Sequence, residues 1–393
     1  MRGTLRPGTL TRWPALFGAA LLVAVSLPGA ATAQICTFAC GPNNNNGPND
    51  EQIAGAAAGQ AALPNAAMNG IAHFSDMVGN RQGQATGFRG TASPPIGYAA
   101  EEKPRGAKAE AIFSAMAQAA WVPVWNFWVQ AYHSRNFVGD TATLPGYSNG
   151  AGGVVFGLDR QVSAEFLYGV ALGYSRTTTT GAALRGTADA YSAALYATWT
   201  PGALMIEGRV GTGYVQSSSA RSVPFAGATT TADGSAGAFD FLANIEAGYR
   251  FEFGQVMVKP YAGLALQSLT REGFAETGAF GLIFPRQTFV KSVSTLGVAA
   301  STLIQGANGI MWGPEVKLGW GHDLRDDTLV TPAIFSGLPY NILAAPPGPD
   351  AALVSAALSA ATSDVQSFTV SYSGDYRSNA QTHLVSAGFR RQW

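Results

Sequence analysis

Two short patterns contain residue types that could do nucleophilic chemistry. Gly146-Tyr147-Ser148-Asn149-Gly150 fits the G-x-S-x-G pattern, in which a strand–turn–helix presents a nucleophilic serine. Here another strand pattern follows the serine, so we interpret the segment as a turn. His133 and Ser134 are adjacent, and adjacent residues of a strand point to opposite faces, so they could not act together. We therefore predict no catalytic residue and no enzymatic activity.

The histidines and cysteines do not indicate a metal centre. The chain has four histidines, which are His73, His133, His322 and His383. They form no H-E-x-x-H or comparable ligand cluster, and we expect a structural role for His322 near a strand end. The only cysteines, Cys36 and Cys40, could form a disulfide in an oxidising compartment, whereas a structural zinc site needs four ligands. No metal and no cofactor are predicted.

Composition excludes further classes of protein. The 393 residues include 24 basic and 24 acidic side chains, and charged residues make up 12%, about half of the ~25% usual in soluble domains. Aromatic residues make up 11% of the chain, which argues against wholesale disorder. The basic residues are scattered and form no stripe of the kind that binds nucleic acid. The length suits one large domain.

The N-terminus indicates export. Residues 1–33 combine an arginine-containing start, an apolar core at 15–25 and a small-residue cleavage site at 31–33, as secretory signal peptides do. The apolar core is too short to span a membrane, and Pro28 interrupts it. An exported chain with few charges and many aromatic residues points to a closed β-barrel, the other structure that can cross a bilayer.

Two segments separate the signal from the strand-rich region. Residues 34–100 have an Asn-rich, Gly/Pro-containing start and no sustained periodicity, so we predict a short, largely irregular passenger or linker. Residues 101–123 are predicted to form a linker helix. Its centre, 107–121, is Ala-rich with apolar residues at helical spacing, and Pro123 ends it.

From Val124 to Trp393 the hydrophobic period changes to two. In 239–253, aromatic and aliphatic residues alternate with residues that are mostly polar or charged. Similar alternation recurs around 204–210, 312–320 and 368–373. Soluble antiparallel sheets alternate in the same way, so alternation alone does not establish a barrel.

The lengths of the connections are more informative. We predict twelve strands: 124–136, 148–160, 165–177, 186–200, 203–217, 237–253, 256–270, 288–304, 310–323, 350–361, 365–375 and 381–393. Connections after even-numbered strands are short, whereas most connections after odd-numbered strands are long (137–147, 178–185, 218–236, 271–287 and 324–349). This segregation is typical of bacterial outer-membrane barrels, whose periplasmic turns are short. The predicted fold is an all-β, twelve-stranded antiparallel transmembrane β-barrel, although 350–361 could equally be helical.

The alternation also directs charged side chains towards the lumen. These are Glu207, Arg209, Asp240, Glu246, Arg250, Lys259, Glu315 and Lys317. A charge on the lipid face near the midplane would cost about 2–4 kcal/mol, so inward placement is required. Two interpretations stay open: the charges brace the wall as ion pairs, or they contact the linker helix or a chain in transit. The outward aromatic residues are expected to form the membrane belts.

Several segments carry a family resemblance. They are 152–159 (GGVVFGLD), 169–175 (GVALGYS), 259–264 (KPYAGL) and 318–324 (LGWGHDL). In this order, they resemble the autotransporter β-domain, the translocator of type V secretion, over residues 124–393. At the C-terminus, the alternation of Val385, Ala387, Phe389 and Trp393 resembles the signal read by the barrel-assembly machinery.

The resemblance implies a function. A monomer would insert into the outer membrane of a Gram-negative bacterium, with help from periplasmic chaperones and the barrel-assembly machinery, and keep a helix in or near its pore. It would display or secrete residues 34–100, whose surface ligand is unknown, without ATP. Family members usually carry a much larger passenger, and Arg391 stands where an aromatic or apolar residue is common. The alternative is a structural or adhesive outer-membrane barrel, or a porin, without a passenger.

Overall fold

A computed structural model describes residues 50–86, 124–225, 228–306, 309–325, 329–363 and 365–393. They form one long helix followed by a closed, twelve-stranded antiparallel barrel. Three expectations fall outside the described residues, namely the signal peptide at 1–33, the pairing of Cys36 with Cys40, and the helix at 107–121.

The barrel closes without a free edge. Its strands are β1 (Val124–Val138), β2 (Tyr147–Gln161), β3 (Phe166–Gly181), β4 (Leu184–Trp199), β5 (Leu204–Phe225), β6 (Ala228–Tyr249), β7 (Val256–Arg271), β8 (Gln287–Thr302), β9 (Met311–Asp323), β10 (Asp350–Ser363), β11 (Gln366–Arg377) and β12 (Ala380–Gln392). Each strand pairs antiparallel with the next, and β1 pairs with β12. Closure lets the strands satisfy one another's backbone groups, as a bilayer requires.

Residues 350–361 are strand and not helix. β10 pairs along its length with β9 on one side and with β11 on the other. Its outward side chains include Val354 and Leu358, which continue the apolar outer surface of β9. This pairing keeps the number of strands even, so both ends of the barrel sequence lie at the edge with the short turns.

Two of the predicted long loops are wrong. Only two residues separate β3 from β4, so most of 178–185 is strand. β5 and β6 remain paired from Leu204–Tyr249 to Phe225–Ala228, which converts most of 218–236 into strand. Beyond the lipid, the strands are Thr-, Ser- and Gly-rich and lack hydrophobic alternation. Their sequence therefore resembled that of a loop. The hydrogen bonds between the two strands nevertheless continue beyond the membrane.

Besides the connection 139–146, two longer connections remain on that edge, 272–286 and 324–349. The second contains a hairpin, Leu329–Phe335 paired with Leu338–Ala344. The first contains three short strands, Phe274–Ala275, Thr277–Gly278 and Ile283–Phe284, of which the last also pairs with the hairpin. Two further short strands, Phe251–Phe253 and Ile304–Gln305, extend turns on the opposite edge.

Aromatic side chains mark both limits of the apolar outer surface. Towards the long loops, one row runs across four neighbouring strands in direct register: Tyr174, Tyr191, Tyr214 and Phe239. Towards the short turns, a second set includes Phe166, Tyr168, Trp199, Tyr249, Phe251, Phe253, Phe368 and Trp393. Such girdles lie at the two interfaces of the membrane.

The helix α1 (Asp50–Thr86) lies inside the barrel. At ~1.5 Å per residue its 37 residues extend about 55 Å. The prediction of a largely irregular 34–100 is therefore wrong for this part. Barrel walls bury the helix on most faces, so it needs no apolar stripe along its whole length, and its Gly, Asn and Pro residues suggested a loop. No helix in the described ranges is both long and apolar enough to span a membrane.

Candidate functional site: the helix-filled pore

An apolar strip fixes α1 against one side of the barrel. Ile71, Phe74, Met77 and Val78 are buried in a cluster with inward side chains of the wall. The wall residues of this cluster include Trp128, Tyr132, Val155, Leu167, Ala171, Ala190, Tyr196 and Val215, which belong to β1–β5. The helix therefore packs against the wall through buried apolar side chains, as a helix does in the core of a soluble protein.

The first turns of α1 pack against the long loops. Ala57, Ala61 and Ala62 share a second buried cluster with Leu282 and Phe284 of the 272–286 connection, and with Ala333, Ile342 and Ala344 of the hairpin. These small helix residues let the loops approach closely. The two connections thereby cover the mouth of the barrel around the helix.

Gly173 on β3 provides the space that Phe74 occupies. A Cβ added at Gly173 would lie 2.5 Å from the Phe74 ring, closer than carbon atoms can approach. Phe74 is only 2% exposed, so its ring has no free space to move into. The close contact between α1 and the wall at this point thus requires glycine at position 173.

Replacing Gly173 with alanine should loosen α1 without altering the lipid face. We expect the free energy of unfolding to fall by about 1–3 kcal/mol, because overpacking displaces the Phe74 ring. Gly208→Ala is the matched control, since nothing lies within 4 Å of a Cβ added there. Thermal unfolding in detergent checks the difference. Equal stability of the two variants would show that Phe74 is not tightly held.

A buried ion pair anchors the end of α1. Arg81 donates to both carboxylate oxygens of Asp159 on β2, from Nε at 2.7 Å and from Nη2 at 2.8 Å. The Asp159 side chain is fully buried and accepts two more hydrogen bonds, from Asn126 Nδ2 and the Tyr196 hydroxyl, each at 2.9 Å. A bidentate pair of this kind fixes orientation as well as position. Gln82 adds hydrogen bonds to β4 and β5.

A second buried ion pair lies near the start of α1. Arg221 on β5 pairs with Glu276 of the 272–286 connection, and neither side chain is exposed. Gln60 of the helix donates to Glu276 Oε1 at 2.7 Å and to Ser219 Oγ at 2.9 Å. Arg221 also donates to the carbonyl of Phe280. Helix, strand and long connection are therefore joined at one point.

The two anchors determine the direction of the helix. Asp159 lies two residues before the end of β2, next to the short turn 162–165. Glu276 lies in a long connection at the opposite edge. The start of α1 is therefore at the long-loop edge, and its end is at the short-turn edge, where β1 also begins.

The structure places seven of the eight predicted lumen charges inside the barrel. Several of them pair with one another across the wall. Lys259 Nζ lies 3.0 Å from Glu246 and 3.8 Å from Glu207, and Lys317 lies 3.5 Å from Glu315. Lys259 thus joins three neighbouring strands through Glu246 and Glu207, as a braced wall would require, whereas Lys317 and Glu315 pair along one strand.

Two predicted charges lie beside the helix. Arg209 donates to Ser75 Oγ of α1 at 2.7 Å and also lies within hydrogen-bond distance of Gln82. Asp240 accepts a hydrogen bond from Gln267 Nε2, which also donates to the Met68 carbonyl of α1 at 3.1 Å. The helix contacted is α1, whereas the predicted linker helix at 101–123 lies outside the described residues, so contact with that helix or with a chain in transit stays a prediction.

Arg250 lies at the short-turn edge of the barrel and not among the other predicted lumen charges. β6 ends at Tyr249, one residue before it. There the Arg250 side chain pairs with Glu252 at 3.3 Å and donates to the Gly202 carbonyl.

Space remains between α1 and the side of the barrel that the helix does not pack against. A cavity of about 380 Å³ separates His73 and Asp76 of the helix from Lys291, Lys317 and Arg377 of the wall. Polar and charged side chains line both faces of this cavity, together with apolar side chains of the wall. Within the described part of the chain, no three His, Cys, Asp or Glu side chains are grouped as metal ligands.

The residues weighed for catalysis belong to the wall. Ser148 lies within β2, with a strand after it. Ser134 is 3% exposed and faces inward, whereas the neighbouring His133 is exposed on the outer surface. His322 stacks on Trp320 and hydrogen-bonds Asp350 at 2.9 Å, outside the barrel.

The C-terminal residues face outward. On β12, Val385 and Ala387 are exposed, and Phe389 contacts Phe368 on the outer face, with ring centroids 5.2 Å apart. Trp393 is 60% exposed and exchanges backbone hydrogen bonds with Trp125. The alternation predicted for this strand is therefore present in the structure.

Comparisons with known proteins identify the barrel. Residues 127–373 match the autotransporter β-domain family. An extracellular serine protease of Serratia marcescens is 28% identical over 275 residues, 68% of this chain and 25% of that protein. The chain thus spans about a quarter of the length of this curated relative.

Two solved structures show the same fold. The translocator domain of the autotransporter NalP from Neisseria meningitidis matches with a TM-score of 0.57 and 14% identity, over 83% of this chain and 98% of that one. The transport unit of AIDA-I from Escherichia coli matches with a TM-score of 0.54 and 12% identity, over 78% of this chain and 96% of that one. The chain belongs to the autotransporter β-domain family of Gram-negative outer membranes.

Proposed function

We propose that this translocator displays on the cell surface the residues that precede its pore helix. The direction of α1 carries the proposal, because the helix starts at the long-loop edge and ends at the short-turn edge. In outer-membrane barrels the long loops are extracellular and the short turns periplasmic. A chain that enters the helix at Asp50 would therefore come from the cell surface.

The displayed segment differs from the one expected from the sequence. Residues 50–86 line and fill the pore, so they are part of the translocator and not of the passenger. We assign the passenger to residues 34–49, which follow the expected signal cleavage site at 31–33. The helix would remain as a plug after transport, held by the Arg81–Asp159 ion pair, by the hydrogen bond from Gln60 to Glu276 and by its apolar strip.

The role proposed is transport and display without catalysis. The protease activity named for the Serratia relative belongs to a protein about four times as long as the matched segment. Assembly would be driven by barrel insertion and by burial of α1, without a cofactor. The outward pattern of Val385, Ala387 and Phe389 on β12 suits recognition by the barrel-assembly machinery, which we propose as a partner.

A protease-sensitive tag inserted near Asn45 should be digested in intact cells. The matched control is the same tag in the turn at Gly254–Gln255, on the short-turn edge, which should be protected until the outer membrane is permeabilised. Immunoblots of the tag and of the barrel provide the measurement. Protection of the Asn45 tag in intact cells would contradict surface display and leave a structural barrel without a passenger.

A further inference from the structure

A group of cationic side chains lies on the outer surface, just beyond one aromatic girdle. Tyr174 and Tyr191 belong to this girdle, and the Tyr174 hydroxyl donates to Asp189 at 2.6 Å, further towards the long loops. Rings in the apolar layer with hydroxyls directed to polar groups mark a membrane interface. Residues beyond this row therefore lie at the level of the lipid headgroups of the outer leaflet.

The cations are concentrated on β1, β3 and β4. His133 and Arg135 are exposed on the outer face of β1, Arg176 on β3 and Arg185 on β4. Their outward direction follows from the alternate residues of β1, because Gln130 and Tyr132 contact α1 inside the barrel. All four positions lie beyond the level of the tyrosine row.

β2 forms the floor of a shallow trough between these cations. Gly150 pairs with Arg135 on one side, and Gly152 pairs with His133 on one side and Arg176 on the other. A Cβ added at Gly150 would meet only a backbone oxygen at 4.0 Å, so the surface above it is open. At ~4.8 Å per strand, β1 and β3 lie about 10 Å apart across this floor.

These cations are poorly neutralised by the protein. Within the described ranges, no carboxylate lies within 4.0 Å of Arg135 or Arg185. Arg176 has one acidic neighbour, Asp189 at 3.6 Å, and its side chain is still 58% exposed. Exposed guanidinium groups at headgroup level, above a floor without side chains, have the chemistry to bind phosphate in bidentate fashion.

We propose that this trough, with Arg135 and Arg176 as its walls, binds the phosphate groups of a phosphorylated lipid of the outer leaflet. The lipid's chains would lie against the apolar surface below, where Val154 and Leu172 are exposed on β2 and β3. The floor of Gly150 and Gly152 leaves room for the headgroup between the two arginines.

The test uses the purified full chain in neutral detergent and lipid A carrying two phosphates. Native mass spectrometry gives the half-saturating lipid concentration for the protein and for Arg135→Gln/Arg176→Gln. We expect the double variant to raise this concentration about 25-fold, roughly fivefold for each arginine. Arg250→Gln is the matched control, because Arg250 is also paired with an acidic neighbour but lies at the opposite edge.

Two further measurements make the result independent of the variants. Dephosphorylated lipid A should bind the unaltered protein far more weakly, and inorganic phosphate at the same phosphate concentration should not displace the bound lipid. Equal binding of both lipids, displacement by inorganic phosphate, or equal affinities of the double variant and Arg250→Gln would each overturn the proposal. Heat-modifiable migration on gels shows that each variant is folded. The lipid-binding test does not depend on passenger display. If the display experiment fails, the lipid-binding result still stands.

Discussion

Replacing Arg81 with leucine should detach the end of α1 from the barrel wall and increase the conductance of the pore. Asp159 would keep its hydrogen bonds from Asn126 and Tyr196 but would lose its bidentate counter-charge while remaining fully buried. The cation that stays nearby is Arg390, which donates to Asn126 Oδ1. Removing one member of a buried pair costs about 3–5 kcal/mol, because the remaining charge has lost both water and partner. The cost falls on the docked helix, since an undocked helix would let water reach Asp159.

Single-channel recordings in planar bilayers and limited proteolysis measure this effect. We expect larger and more frequent openings, together with cleavage of the helix at its short-turn end. Arg81→Gln combined with Asp159→Asn should restore much of the closed state, because two amides can hydrogen-bond without a buried charge. Arg185→Leu, an exposed arginine on the outer face, is the control. Conductance and stability equal to those of the unaltered protein would show that the pair does not hold the helix.

Much of the barrel could be predicted from the sequence because lipid imposes a strict pattern. Outward residues must be apolar within the membrane, so the strands alternate, and the turns at one edge stay short. β10 could not be assigned from pattern alone, since its Ala, Leu and Val residues suit either a helix or a strand. Its identity follows from its pairing with two strands. β9 is separated from it by the long connection 324–349, and β11 follows it directly.

The pore helix could not be predicted, because it does not contact lipid and so carries no strict hydrophobic pattern. Its apolar strip is confined to Ile71–Val78, and because walls enclose most of the helix, the remaining buried positions are small or polar residues without a continuous stripe. Gly59 and Gly70, which lower helix propensity, allow close approach to Leu184 and Thr177 on the wall. The features that suggested a loop are those that fit the helix into the barrel.

Alternation predicted lumen charges but not the groups that anchor the helix. Asp159 lies in the inward set of β2 and could have been found in this way, whereas Arg221 fell in a segment predicted to be a loop. Arg81 and Glu276 lie outside the alternating segments, and their partners are 78 and 55 residues away in the sequence. Only the assembled barrel brings these charges together.

Replacing Glu276 with glutamine should open the opposite end of the pore. Arg221 would remain fully buried without a counter-charge, at a cost of about 3–5 kcal/mol that favours release of the 272–286 connection. Gln60 of α1 would lose a hydrogen bond to a charged acceptor, and the apolar packing of Leu282 and Phe284 on the helix would weaken. We expect this connection to become sensitive to protease added to intact cells.

The two anchors should act on different ends of the same helix. In Glu276→Gln the Arg81–Asp159 pair is intact, so the helix should stay in the pore and conductance should change less than in Arg81→Leu. Arg221→Met/Glu276→Met removes both charges and should protect the connection again, because replacing a buried ion pair with apolar residues is often neutral or stabilising. Hydrogen exchange of α1 resolves the two ends. Faster exchange along the whole helix in Glu276→Gln would mean that α1 is released as one unit and not from each end separately.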